Sequence, residues 1–190
     1  MSLKLFRATG HQSILGAGET RTATHPAWLV FATALWIGFA CNVALWRELL
    51  PASEAGRGLA WSLAAGSFAA SASGVVLSLL GWRRTFKPAA TLLLLLAALV
   101  AAGAWFQSLP LTTGLLNNNA SALVPAWRAL LRWEVPVLLV VLALLPIALL
   151  WNTKVRRLPG PEQMSVNAGG LAVGGVVLAI SGFLLLRGLV

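Results

Sequence analysis

Side chains that could make or break chemical bonds are scarce in this chain of 190 residues. It has two histidines, one cysteine and no aspartate, and its five acids are all glutamates. So few ligands cannot by themselves build a zinc site, and a single cysteine excludes an internal disulfide. Thr112 and Thr113 have no neighbouring base that would activate a hydroxyl group. The sequence therefore predicts no metal, no cofactor and no self-contained catalytic centre in these residues.

Two polar residues are better suited to binding a charged headgroup. Arg128 could bind a phosphate through two parallel hydrogen bonds, although its side chain could equally extend from an interfacial helix into water. Asn42 lies near the end of an apolar stretch, where a polar side chain binds either another helix or a substrate. Both interpretations stay open for each residue.

The elements that would position these residues are membrane helices. Apolar residues make up 58% of the chain and charged residues 10%, against about 25% charged in an ordinary soluble domain. Five apolar stretches are close to the ~17–25 residues that cross a bilayer, and lipid forces such segments to be helical. They cover residues 28–46, 59–80, 89–106, 135–151 and 168–186. We therefore predict an all-α, five-helix integral membrane bundle over residues 28–190, preceded by a tail over residues 1–27.

The distribution of positive charge predicts the orientation of this bundle. The N-terminal tail and the second and fourth loops carry nine Lys and Arg residues, whereas the other side carries five. The more basic side of a membrane protein faces the cytoplasm. We therefore expect a cytoplasmic N-terminus and a periplasmic C-terminus. The net charge of +9 is then a topology signal and not evidence for a nucleic-acid partner.

The longest connection, between helices three and four, is the predicted functional loop because long loops commonly carry function. Within it, Leu123, Trp127, Leu130 and Leu131 recur at helical spacing, with Arg128 available for the wet face. This pattern predicts a short amphipathic helix that lies in the membrane interface.

Small residues and one proline give expectations about packing. Gly66 and Gly74 in helix two, and Gly170 and Gly174 in helix five, recur at spacings that let helix backbones approach closely. This favours contact within the bundle over a homodimer face. Pro146 lies inside helix four and should kink it or end it early. Trp36 is at mid-span, where it should pack between helices or against lipid.

Four short motifs follow one another along the chain. They are Asn42–Arg47, Trp82–Pro88, Thr112–Asn118 and Leu144–Pro146. Together with five spans and an inside N-terminus, they resemble the N-terminal membrane domain of the phosphoethanolamine–lipid A transferases, which are polymyxin-resistance enzymes. The resemblance implies a location in the bacterial inner membrane.

The resemblance also implies a chemistry. Members of that family transfer phosphoethanolamine from phosphatidylethanolamine to a lipid A phosphate, using a zinc-containing, sulfatase-like C-terminal domain. We expect that domain to lie outside this chain. In the family, an Asn in the outer loop is followed four residues later by Thr and then by Glu. Asn118 matches the first position, but Ala122 and Ala126 occupy the others. The candidate headgroup-binding residues are Asn118, Asn42, Arg128 and Glu134.

The leading functional hypothesis is a membrane domain that holds a lipid headgroup at the outer face of the inner membrane. Its expected partners are membrane lipids, among them phosphatidylethanolamine and lipid A, and a separate catalytic domain or protein. Three alternatives for the chain itself stay open: it is a fragment of a longer enzyme, half of a split enzyme, or a stand-alone relative of the family. The alternative is a non-enzymatic, small multi-pass membrane protein that binds lipid or assists assembly. A transporter or channel would need intramembrane charges, which the spans lack.

Overall fold

The computed structural model describes residues 23–43, 55–82, 84–107, 133–156 and 158–188. We number its helices α1 to α5 along the chain. Their bounds are α1 Pro26–Ala40, α2 Ala55–Leu79, α3 Phe86–Gln107, α4 Glu134–Asn152 and α5 Gly160–Gly188. The predicted all-α membrane fold is confirmed. The predicted interfacial helix, Asn118 and Arg128 lie outside the described residues.

Four of these five helices are long and apolar enough to cross a bilayer. The segments are Leu59–Leu79, Phe86–Trp105, Glu134–Asn152 and Gly160–Arg187. α1 is a shorter apolar helix, because its chain bends at Cys41 inside the stretch predicted as the first span. The last turn of α1, Trp36–Ala40, is π-helical, and the Cys41 N–H closes it with a 3.0 Å bond to the Trp36 carbonyl. Such wider turns occur singly within helices, often at functional sites.

Local sequence fixes where α1 begins. Pro26 occupies the first helical turn, where its missing N–H costs nothing. His25 precedes it in an extended conformation, and its Nδ1 accepts a hydrogen bond from the Ala27 N–H at 3.2 Å. His25 is therefore a helix cap in this fold.

The small residues of α2 and α5 are used for contact between these two helices. A Cβ added to Gly170 would lie 2.5 Å from the Ser78 hydroxyl, and one added to Gly174 would lie 2.9 Å from a Val75 methyl. α5 is the least buried long helix, with 6% of its membrane window buried against 44% for α2. One face of α5 therefore holds it to the bundle, as the internal-contact interpretation predicted.

Replacing Gly170 with leucine should loosen α5 from α2, because the new side chain must displace Ser78. We expect the free energy of unfolding to fall by about 1–3 kcal/mol, the usual cost of overpacking. The measurement is an SDS titration in mixed micelles, followed by circular dichroism. Gly175→Leu is the matched control, since a Cβ there meets nothing within 4 Å. Equal stability of the two variants would contradict this close contact between α2 and α5.

α3 and α4 form a second helix pair, and α1 lies between the pairs. One buried cluster joins the early part of α1 to Leu77, Phe86, Ala90 and Leu150. A second cluster lies near the other end of the bundle and is built from these buried residues: Cys41, Ala98, Ala101, Leu142 and Ala143. Alanines on α3 let its neighbours approach closely, because no long side chain separates the backbones.

α4 is irregular at its centre, just before the proline that was predicted to kink this helix or end it early; the helix does not end there but continues to Asn152. Val140–Leu144 is π-helical, and the α-helix resumes at Leu145. Pro146 follows directly and has no N–H to donate to the Leu142 carbonyl, four residues earlier. The Leu142 carbonyl therefore needs a partner from elsewhere, because an unpaired backbone group in hydrocarbon is costly.

Candidate functional site

The antiparallel path of the helices gives the bundle two chemically different ends. The first contains the N-termini of α1, α3 and α5 and carries four described cations: Arg84, Lys87, Lys154 and Arg156. We call it the basic end. The opposite end contains the C-terminal part of α1 and the beginning of α4. The two described candidate residues, Asn42 and Glu134, both belong to this opposite end.

Asn42 and Glu134 are positioned by the ends of their helices. Asn42 follows the bend at Cys41 and is half-buried. Glu134 is the first residue of α4 and is also half-buried, next to the exposed indole of Trp133. A carboxylate is favourable in the first turn of a helix because of the partial positive charge there. Among the described residues, no hydrogen bond or ion pair joins Asn42 to Glu134, so the structure places them at one end without forming a direct pair.

An interhelical hydrogen bond fixes the spacing between α1 and α4 below these residues. Trp36 Nε1 donates to the Leu142 carbonyl at 3.0 Å, and Cys41 Sγ lies 3.9 Å from the same oxygen. This carbonyl is the one that Pro146 leaves without an α-helical donor. The indole of Trp36 therefore replaces the missing backbone N–H, and it ties the end of α1 to the middle of α4.

The bond from Trp36 to the Leu142 carbonyl was not predicted from the sequence, although the residues that call for it can be identified there. Trp36 was predicted to pack between helices or against lipid, and Pro146 to kink helix four or end it early, but no bond between these two regions was predicted. A proline inside a span frees a carbonyl, and an indole N–H at mid-span needs an acceptor. Matching the two would have predicted a bond between α1 and α4.

The basic end is held together mainly through backbone carbonyls. Lys87 Nζ donates to the carbonyls of Trp151 and Thr153, at 3.2 and 3.1 Å, and lies 5.5 Å from the centre of the Trp151 ring. A cation is favourable at the C-terminus of a helix, which is that of α4 in this case. Gln163 is buried and donates to the Gly81 carbonyl at 2.9 Å. Lys87 and Gln163 thus tie α3 to α4 and α5 to the end of α2.

The family resemblance raised the question of zinc. Within the described ranges, no group of three His, Cys, Asp or Glu side chains comes together that could hold a metal ion. These described residues therefore do not fit a zinc site.

The fold defines the class of this protein: it is a multi-pass helical membrane protein. Comparison with protein families then identifies the family within this class. The model of the N-terminal family EptA_B_N, described as phosphoethanolamine transferase EptA/EptB, matches residues 69–190, which is well over half of the chain. The chain therefore belongs to this family, and its predicted resemblance is confirmed. The comparisons with curated proteins and with solved structures gave no significant match.

The family match covers the later helices of the bundle but not α1. Residues 69–190 include part of α2 and all of α3, α4 and α5. They include the Pro146 irregularity and the Leu142 carbonyl, but not Trp36, which supplies the bond to that carbonyl. They also include three of the four candidate residues, Asn118, Arg128 and Glu134; Asn42 lies before the match.

Proposed function

We propose that this protein is the membrane domain of a phosphoethanolamine transferase that holds a lipid headgroup at the outer face of the bacterial inner membrane. The observation that carries the proposal is the family match over residues 69–190. The transfer would be to lipid A, carried out by a catalytic domain or protein that lies outside residues 1–190. The membrane domain contributes binding and orientation, which are large terms in phosphoryl transfer.

The geometry of the opposite end supports this role. Asn42 and Glu134 lie at the ends of α1 and α4, and the Trp36–Leu142 bond holds these two helices at a fixed distance. A rigid support is what a headgroup site needs, because its polar groups must be placed within a fraction of an ångström. Asn118 and Arg128 fall between α3 and α4 in the sequence, outside the residues that the structure describes.

The distribution of charge supports the proposed orientation. Arg84, Lys87, Lys154 and Arg156 all belong to the basic end. If the basic end is cytoplasmic, as the positive-inside rule favours, Asn42 and Glu134 face the periplasm. That is the side on which the proposed transfer takes place.

Replacement of Asn118 tests the headgroup site directly. The protein is purified from bacterial membranes, and the phosphatidylethanolamine retained per protein is measured by mass spectrometry. Loss of one hydrogen bond worth about 1 kcal/mol predicts that Asn118→Ala retains about fivefold less of this lipid. Asn117→Ala is the matched control, because the resemblance assigns the neighbouring side chain no role. Equal retention by both variants, or no enrichment of the lipid in the unchanged protein, would contradict the proposal.

A further inference from the structure

An apolar groove runs along the surface of the bundle between α1, α2 and α5. Its volume is about 470 Å³, and it is partly open to the surroundings of the helices. Its walls are apolar side chains such as Val30, Phe31 and Val173, with glycines along α5 where longer side chains would fill it. In a bilayer such a groove faces hydrocarbon, and an acyl chain is the component of the membrane that matches it.

A second, smaller pocket lies at the basic end, beside the starts of α1, α3 and α5, the segment that follows α2 and the segment between α4 and α5. Its volume is about 200 Å³, and Trp82, Arg156 and Gln163 are among its lining residues. On α1 and α5 the pocket and the groove lie within one turn of each other. Pro26 lines the pocket and Ala27 the groove, and Gln163 lines the pocket and Val166 the groove. The pocket therefore lies at the end of the groove.

Arg156 gives the pocket its charge. The Arg156 N–H donates to the Thr24 carbonyl at 3.0 Å, so the backbone of this residue is fixed beside the start of α1. Its side chain is half-buried and makes no hydrogen bond or ion pair with any other residue that the structure describes. Lys87 differs, because its ammonium is already bonded to two carbonyls. The acid nearest in sequence to the pocket residue Gln163 is Glu162, which is exposed in the first turn of α5.

We propose that the groove and the pocket together bind one glycerophospholipid with an anionic headgroup, from the leaflet at the basic end. One acyl chain lies in the groove between α1 and α5, and the headgroup phosphate lies against the Arg156 guanidinium. A basic pocket between membrane helices is a suitable receptor for an anionic headgroup. This site is at the other end of the bundle from Asn42 and Glu134, so it is separate from the proposed transfer site.

The bound lipid has a structural consequence. α5 contacts the bundle through one face, and the groove lies along the edge of that contact. A lipid in the groove touches α1 and α5 together, and it therefore adds contacts that hold α5 in place. The stability of α5 should rise with the content of anionic lipid.

The headgroup half of the proposal is tested with the full chain in detergent micelles. Native mass spectrometry measures the apparent Kd for dioleoylphosphatidylglycerol and for zwitterionic dioleoylphosphatidylcholine. We expect the unchanged protein to bind phosphatidylglycerol about tenfold more tightly, the effect of one charge-assisted hydrogen-bonded contact. Arg156→Gln should remove this preference. Lys154→Gln is the matched control, because Lys154 is exposed and does not line the pocket.

The acyl half is tested by filling the groove. Gly169 lines the groove, and a Cβ added there meets nothing within 4 Å, so this position has room for the start of a larger side chain such as leucine. Gly169→Leu should weaken binding of phosphatidylglycerol about tenfold, whereas Gly175→Leu, at a position that does not line the groove, should leave it within about twofold. Circular dichroism confirms that both variants keep their helices.

Several results would overturn the proposal. Equal affinity of the unchanged protein for the two lipids would show that it has no preference for an anionic headgroup. An equal preference for phosphatidylglycerol in Arg156→Gln and Lys154→Gln would show that Arg156 in the pocket does not bind the headgroup. Equal affinity of Gly169→Leu and Gly175→Leu for phosphatidylglycerol would show that the groove does not bind the acyl chain. None of these results depends on Asn118, so they are distinct from the test of the transfer site.

Discussion

Gly38→Ala is expected to lower the free energy of unfolding by about 2 kcal/mol or more, although alanine is the better helix former by about 1 kcal/mol. A Cβ at Gly38 would lie 2.5 Å from the Gly66 carbonyl oxygen and 2.7 Å from the Ala70 nitrogen. These are backbone atoms of α2, so they cannot be displaced by rotating a side chain. α1 and α2 would have to separate along their whole contact.

The measurement is unfolding in mixed micelles by SDS, followed by circular dichroism. Gly74→Ala is the matched control on α2, because a Cβ there would lie 3.5 Å from Ala34 Cβ, an ordinary contact. We expect that variant to be as stable as the unchanged protein, or more stable by up to about 1 kcal/mol. If Gly38→Ala matches Gly74→Ala, then the backbones of α1 and α2 do not touch at Gly38.

Trp36→Phe is expected to destabilise the protein by about 1.5 kcal/mol. It removes the indole N–H and leaves the Leu142 carbonyl without this donor in a low-dielectric environment. Hydrogen bonds between membrane helices contribute about 0.6 kcal/mol on average. We expect a larger effect at this bond because Pro146 cannot take over as the α-helical donor.

Pro146→Ala provides the test of this explanation, because it supplies a backbone N–H four residues after Leu142. In the Pro146→Ala background, loss of the indole N–H by Trp36→Phe should lower the free energy of unfolding by less than about 0.5 kcal/mol, apart from the effect of lost packing. The coupling energy between Trp36 and Pro146 is obtained from a double-mutant cycle. Trp133→Phe controls for the loss of an indole, since Trp133 is 75% exposed. Additive effects of the Trp36 and Pro146 changes would show that the two residues do not share the Leu142 carbonyl.

The sequence predicted much of the membrane architecture. Long apolar stretches dictate helices because lipid offers no hydrogen-bond partner to an open backbone, and the described residues contain four helices that are long and apolar enough to cross a bilayer. Short motifs were enough to indicate the family, which the match over residues 69–190 confirms. Pro146 was predicted to kink α4 or end it early because it lacks an N–H, but the helix continues to Asn152 and a π-helical segment precedes the proline. The expectations for Asn118 and Arg128 stay predictions.

Only the tertiary structure decided which helices touch and through which faces. Every face of a membrane helix is apolar, so apolar periodicity does not separate a buried face from one that faces lipid. The α2–α5 contact, the position of α1 between two helix pairs and the groove beside α5 follow from shape complementarity at particular glycines and alanines. The bond from Trp36 to Leu142 likewise joins residues 106 positions apart, and its partners were visible in the sequence, but their proximity was set by the packing of α1 on α4.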